Sequence, residues 1–385
     1  MKWVVTENSV GLCPGLQFND LPEKIPSNIH IINRNNTLGI LSENVAGILP
    51  CKNGNEIIIE PKYRNIQPTE LLMYINNISG ITLDEEKLIA EDSEFRLQKL
   101  ADAFVEQLER IRFMPLKIKR KASGITSKAV IGRVDWVETY KNQKLGKNHE
   151  IVTTVHTASS DIPENIIIAA AAKRIISHFR SDSNEYAILF PWVKTADRFP
   201  YTNQQLFVMC QRLNRTSLSG AHAFYYPSVM LSKIILGFNG AEMVAQENSG
   251  ILFNMPGLYE AYIRTGFQRI AGKYGLSVQK GLSPRSFLFF NGGCELIPDI
   301  TVYEGTSIKA LMDVKYKTPD SKDYYQVFSF MKYAGVDTAY IISPAVADER
   351  CITAFDGSRI IYICVDNSNA SDLEIKAKTI IRGIA

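Results

Sequence analysis

Between positions 308 and 317 the side chains alternate without a break. Ile308, Ala310, Met312, Val314 and Tyr316 fall on one side, and Lys309, Leu311, Asp313, Lys315 and Lys317 on the other. A period of two marks a half-buried strand. Side chains two apart in a strand are neighbours, so Asp313 and Lys315 share a face. Upstream, residues 296–303 form a second β-rich run that contains Pro298-Asp299, and Glu304-Gly305-Thr306-Ser307 supplies a tight connection. A turn centred near Thr306 sets Asp299 directly opposite Asp313, where paired side chains lie close together. Two carboxylates and an ammonium then converge on one point.

Carboxylates that close repel each other, and one is forced toward its protonated form unless a divalent cation fills the gap. The five histidines (His30, His149, His156, His178 and His222) all lie outside this segment. Hard oxygen ligands without imidazole favour Mg²⁺, or Mn²⁺, over zinc. An ion so held binds a phosphate oxygen and acidifies a bound water, while Lys315 orients or deprotonates that water or neutralises charge on the phosphorus. The bland alternative is a solvated Asp-x-Lys pair worth little. The neighbourhood favours the chemistry. Residues 319–335 read as a helix capped near Asp320 or Ser321, with Val327, Phe330, Met331 and Ala334 inward and Gln326 near the strand's end. Residues 256–270 open another helix, with Ile263, Phe267 and Ile270 buried and Glu260 in the first turn. A turn at 291–293 and strands at 338–343 and 360–365 complete the region.

Read in order, Asn254-Met255, Leu258-Tyr259-Glu260, Pro298-Asp299, Asp313-Val314-Lys315-Tyr316-Lys317 and Asp323-Tyr324-Tyr325-Gln326 make a connected pattern. It is an aromatic-Glu helix, a Pro-Asp strand, an Asp-x-Lys-Tyr-Lys strand and a Tyr-Gln helix. Residues 254–343 thereby resemble a PD-(D/E)xK nuclease domain. More narrowly they resemble the McrC family, the nuclease subunit of McrBC-type restriction systems and their LlaJI-like relatives. Tyr259 stands where Phe is commoner and Val314 where Ala is commoner. The resemblance implies a Mg²⁺-dependent DNA endonuclease of antiviral defence that leaves 5′-phosphate ends. It implies Asp299 and Asp313 as metal ligands with the backbone carbonyl of Val314, and Lys315 as the catalytic lysine. Glu260 would be a supplementary acid for metal or water placement, and Gln326 a group near the phosphate. Two of these have plainer readings, Glu260 as a helix-dipole acid and Gln326 as an exposed helix residue. Tyr316 and Lys317 either touch the DNA backbone or simply finish the strand.

A chain of 385 residues is long enough for two or three domains. The expected class is multidomain α+β or α/β, divided into a β-rich partner-docking module at 1–155, a helical connector at 156–245 and an α/β nuclease domain at 246–385. In the first, strands are expected at 29–32, 38–41 and 56–60, with a turn at 53–55. A helix is expected at 94–112 on a face of Phe95, Leu97, Leu100, Ala101, Phe104, Leu108 and Ile111. Strands at 114–118 and 129–137 and a loop at 141–149 follow. In the connector, Asp161-Ile162-Pro163-Glu164 signals a helix entry with a capping Asp. Helices are expected at 165–180, 204–214 and 227–238, and a linker at 240–250. The fragments Ala46-Gly47-Ile48, Ile57-Ile58-Ile59-Glu60-Pro61-Lys62 and Gly132-Arg133-Val134-Asp135 resemble the N-terminal region of the McrC family. There this module docks on a hexameric AAA+ GTPase and stimulates it. The basic stretch 117–121 is open between DNA, partner and a lysine-guarded strand edge.

Several classes are excluded or disfavoured. A net charge of +3 encodes no strong global attraction to nucleic acid, though a local basic groove is compatible with it. The six cysteines form no CxxC pair and read as reduced cytosolic thiols. No signal-peptide core and no membrane-length apolar run is present, so a soluble cytoplasmic protein is expected. Gly146-Lys147 lacks the upstream glycine and following hydroxyl of a phosphate-binding loop, so any NTPase motor is a separate polypeptide. Three functions remain: a nuclease subunit engaged by an AAA+ ATPase or GTPase on double-stranded DNA, a stand-alone restriction endonuclease, or a non-catalytic adaptor. The intact acids and lysine speak against the adaptor. Cutting both strands needs two sites, hence homodimerisation in the active complex.

Overall fold

A computed structural model describes residues 2–22, 25–52, 55–66, 68–75, 93–114, 117–178, 183–198, 201–213, 218, 222–236, 251–287, 289, 293–344, 348–366 and 370–384. Most of the turn expected at 53–55 and the linker at 240–250 lie outside them. The chain divides into two compact units, Met1–Leu97 with Asn239–Ala385, and Gln98–Phe238. This differs from the three-part division expected above, for two physical reasons. Strand Ile251–Asn254 pairs antiparallel with Val45–Pro50, so the chain rejoins its N-terminal sheet before entering the C-terminal domain. The boundary expected at 155 falls inside strand Ile151–Ser159, which pairs with Lys119–Ser127 along its whole length.

In the first unit, Lys2–Thr6, Glu56–Glu60, Val45–Pro50 and Ile251–Asn254 form one sheet in that order, and Val10–Leu12, Thr37–Ser42 and Ile29–Arg34 a second. The main sheet has six strands ordered Ser277–Gln279, Ile300–Glu304, Ser307–Val314, Thr338–Ser343, Arg359–Cys364 and Arg350–Thr353. Ser307–Val314, Thr338–Ser343 and Arg359–Cys364 run parallel, and the flanking pairings are antiparallel. One face packs on helices Met255–Ala271 and Ala370–Ile384, with Ile300, Val302, Ala310, Met312 and Val314 turned toward them. The other face packs Leu311, Ala339 and Ile341 on Val327, Phe330 and Met331 of helix Ser321–Ala334. Strand Ser307–Val314 is therefore buried on both faces from Ala310 onward rather than half-buried. The helix Ala370–Ile384 and the edge strands Ser277–Gln279 and Arg350–Thr353 were not expected. A β-carbon on Gly266 would meet the Leu373 side chain at 2.6 Å, so glycine lets the two helices on that face approach closely.

In the second unit the helices Pro163–His178, Ser183–Arg198, Asn203–Arg212 and Tyr225–Ile235 follow one another. Pro163 opens the first of them, but the Asp161 carboxylate accepts from the Tyr201 hydroxyl at 2.7 Å instead of capping it. Part of the strand expected at 114–118 lies outside the described residues, and the one expected at 129–137 is not formed as drawn. The long strand is Lys119–Ser127, a second is only Arg133–Val134, and the expected loop at 141–149 begins as part of helix Trp136–Lys144. Asp135 explains the last correction, because its carboxylate accepts from the backbone N–H of Val137 and Glu138, each at 3.1 Å, and starts a helix there. Among the described residues no helix is long and apolar enough to cross a membrane.

Candidate active site

The register brings the two aspartates together by a compensation. The hairpin turn is Gly305-Thr306, with Glu304 opposite Ser307 and Gly305 at φ 59°. That turn sits half a residue earlier than expected and alone would set Asp299 out of step. A bulge near Val302 and Tyr303 restores the register, so Ile300 pairs with Met312 and Asp299 lies one step on, opposite Asp313. Asp299 is fixed by the Val314 backbone N–H, which donates to its Oδ2 at 2.8 Å.

Burial dominates the electrostatics of this pair. Asp313 is 2% exposed. Asp299 is pushed up to about 7, by burial first and then by the charges of Asp313 and Glu260, while the Val314 N–H and Lys280 pull the other way. Burial also raises Asp313, partly offset by Lys315 and by a hydrogen bond from Asp299. Each carboxylate thus disfavours ionisation of the other, a repulsion that a cation would relieve. Lys315 Nζ lies 2.7 Å from Asp313 Oδ2 and 3.5 Å from Asp323, and donates to Gln326 Oε1 at 3.0 Å. Burial disfavours its charged form, but Asp313, Asp323 and Asp299 outweigh that and raise its pKa overall. Lys315 is an ammonium.

The other expected residues fall as follows. Gln326 is exposed on helix Ser321–Ala334 and reaches Lys315. Glu260 stands in the second turn of helix Met255–Ala271, whose cap is Asn254, and its carboxylate pairs with Arg264 and, at 2.7 Å, with Lys280. Lys317 is exposed and pairs with Asp320 at 2.8 Å and Asp323 at 2.9 Å. Tyr316 overturns the DNA-contact reading: it is 5% exposed, lies in the apolar core and donates its hydroxyl to Glu7 at 3.1 Å. Three site residues went unassigned from sequence. Asp323 bridges Lys315 and Lys317 and forms a capping box with Asp320. Lys280 and Arg264 hold Glu260. Of these, only Arg264 had a local signal, its spacing of four from Glu260 on one helix.

The donor set fits a hard, water-rich cation. Asp313 Oδ2 is fully buried, with the Lys315 ammonium 2.7 Å away as its charged neighbour. Among the described residues no three His, Cys, Asp or Glu side chains gather closely enough to hold a metal by themselves. Glu260, whose charge acts on Asp299, is held by Arg264 and Lys280. Two carboxylates and a main-chain carbonyl, oxygen donors without imidazole or thiolate, suit Mg²⁺, which retains waters and substrate oxygens, better than zinc.

A family profile described as McrBC 5-methylcytosine restriction system component matches residues 40–343, well over half of the chain and all of the acidic site. The chain belongs to that family. The chain is similar in fold to a chain of the half-complex from the tetradecameric assembly of Thermococcus gammatolerans McrB AAA+ hexamers with bound McrC. The two are 13% identical with a TM-score of 0.62, and all of both chains is covered. It is also similar to a chain of the cryo-EM Thermococcus gammatolerans McrBC complex, at 12% identity and a TM-score of 0.44, over 69% of this chain and 86% of that one. No curated protein matches.

Proposed function

We propose that this chain is the Mg²⁺-dependent endonuclease subunit of an McrBC-like restriction system, cutting double-stranded DNA when a separate AAA+ NTPase engages it. The observation that carries this reading is the acid pair of half-buried Asp299 and buried Asp313, with the Lys315 ammonium 2.7 Å from Asp313 at the carboxyl end of a central strand. The six-stranded sheet between helices supports a PD-(D/E)xK domain built around that strand.

Asp299, Asp313 and the Val314 carbonyl would hold the ion, which when bound supplies Lewis-acid stabilisation of the phosphate and a more acidic water. Lys315 holds its proton and donates from a fixed position toward the attacking water or the phosphate oxygens, offsetting the charge that builds on phosphorus. Gln326 and Asp323 hold the ammonium in place, so its geometry exists before substrate arrives. Glu260 adds negative potential next to Asp299 and fixes Lys280 at the site's margin. Lys317 and Lys280 are exposed enough to meet the DNA backbone.

The partner surface in this reading lies in the second unit, on the sheet carrying helix Trp136–Lys144. Val130, Ile131, Trp136, Val137, Tyr140 and Leu145 are each at least half exposed there, an apolar surface suited to a protein partner. The similar fold found with McrB AAA+ hexamers supports an AAA+ subunit as that partner. Within the basic stretch, Lys117 is tied to Glu164 at 2.6 Å, while Lys119 and Arg120 are exposed. Two copies acting on opposite strands would give duplex cleavage.

The test is plasmid cleavage, methylated and unmethylated, with Mg²⁺ and nucleotide, with and without an McrB-like AAA+ subunit from the same organism. Cleavage only when Mg²⁺ and the partner are both present is expected. Sequence-specific cutting by the purified chain alone would replace this reading with a stand-alone restriction enzyme.

A further inference from the structure

We propose that Glu7, at the end of the N-terminal strand, is a positioning residue for Lys315 that acts through Tyr316; this rests on the nuclease reading. Glu7 follows strand Lys2–Thr6 and is 1% exposed. Its Oε2 accepts from the Tyr316 hydroxyl at 3.1 Å and from the Lys62 backbone N–H at 3.2 Å. Its Oε1 is buried with no hydrogen bond among the described residues. The acid thus ties the Tyr316 hydroxyl to the N-terminal sheet and faces the Lys62 charge, at the cost of one buried carboxyl oxygen.

The reason lies in where the catalytic strand ends. Ladder pairing stops at Val314, and Lys315, Tyr316 and Lys317 run beyond it. Beyond that point the main chain is held by the Lys315 N–H donating to Ile342 at 2.8 Å and by Ser343 Oγ donating to the Lys317 carbonyl at 2.7 Å. Between these two anchors the Tyr316 side chain sets the rotation of the segment. Its ring meets Tyr63 edge-on at 5.2 Å and Tyr259 at 5.9 Å, with the Lys62 ammonium 4.6 Å from its centroid. Glu7 supplies the one directional tie, the hydroxyl bond, and so fixes which way the lysines on either side of Tyr316 leave the sheet. Tyr259 precedes Glu260, so the same ring also backs the helix turn that carries the third acid of the site. The N-terminal sheet is in this way part of the catalytic scaffold.

The experiment measures kcat and KM for DNA with the full chain, its AAA+ partner and Mg²⁺, for Tyr316→Phe, Glu7→Ala, Glu7→Gln and the double variant Glu7→Ala/Tyr316→Phe. Thermal denaturation establishes that each is folded at the assay temperature. Tyr316→Phe removes only the hydroxyl, so it keeps the inference testable if Glu7→Ala does not fold. Misplacing the ammonium is expected to lower kcat about tenfold or more at unchanged KM in Tyr316→Phe and Glu7→Ala. Glu7→Gln keeps an acceptor for the hydroxyl and is expected to stay near wild type, and the double variant no worse than either single one. Wild-type kcat in Tyr316→Phe, or losses that multiply in the double variant, would overturn the inference alone. A wild-type chain that cuts no DNA under any of these conditions would overturn the nuclease reading, and this inference with it.

Discussion

In the six-stranded sheet the charges are inside, with Asp313 at 2% exposure and Lys315 bound among Asp313, Asp323 and Gln326. On helix Trp136–Lys144 of the other unit and at its end the apolar groups are outside, with Trp136 and Leu145 both at 75% exposure. Each is costly for an isolated folded chain: buried carboxylates repel one another, and exposed aromatic and aliphatic surface stays in contact with water. The two costs point to different ligands. Buried like charges are relieved by a cation, and an uncovered apolar surface by another protein. Binding and catalysis should therefore separate cleanly by region.

The largest effect expected is on cleavage from the first region. Lys315→Ala should reduce kcat by about 10³-fold or more while leaving the AAA+ complex intact, as checked by cleavage kinetics beside size-exclusion chromatography. Loss of the complex in that variant would break the separation. The second region should behave in reverse. Trp136→Ala and Tyr140→Ala should weaken partner binding by roughly 10–100-fold, read by calorimetry, with little change in thermal midpoint because both side chains are exposed. A marked drop in midpoint would mean that they are structural.

A smaller effect sharpens the electrostatic half. A carboxyl whose pKa is raised by folding stabilises the chain below its unfolded value, and that contribution is lost as pH rises through its folded value. Metal-free stability should therefore fall as pH climbs from about 4 to about 7 for Asp299. Asp299→Asn should flatten this slope and raise the metal-free midpoint at pH 8 by about 2–5 °C. Mg²⁺ should stabilise the wild type and not this variant. A wild-type midpoint independent of pH over that range would show that the two acids do not repel as the geometry requires.

How much of this was readable in advance depended on distance along the chain. The acid pair was legible because a hairpin is local, and Asp299 opposite Asp313 follows from strand period and turn length. Even so, the pairing holds through a turn at Gly305-Thr306 corrected by a bulge, neither of which alternation reveals. The helix 321–334 announced itself through Asp320 and its apolar stripe. Strand Lys119–Ser127 did not, since its lysines, serines and threonine carry no alternating apolar face and its partner lies beyond residue 150. Helix Trp136–Lys144 was hidden by the same exposure that suggests its role, because its apolar residues face water and mark no core stripe. Lys280 and Glu7 meet the site only through tertiary folding. Glu7 lies 309 residues from Tyr316, a separation at which no local pattern carries information. The division into units was missed for the same reason, since residues 1–97 join a partner segment that starts at 239.

The most direct test is the Asp313→Ala chain, assembled with its AAA+ partner and assayed on double-stranded DNA with Mg²⁺ and nucleotide beside the wild type. The wild type is expected to cut, and Asp313→Ala to bind the partner normally and cut nothing. Cleavage by Asp313→Ala at the wild-type rate would contradict the assignment of this acid pair as the catalytic site.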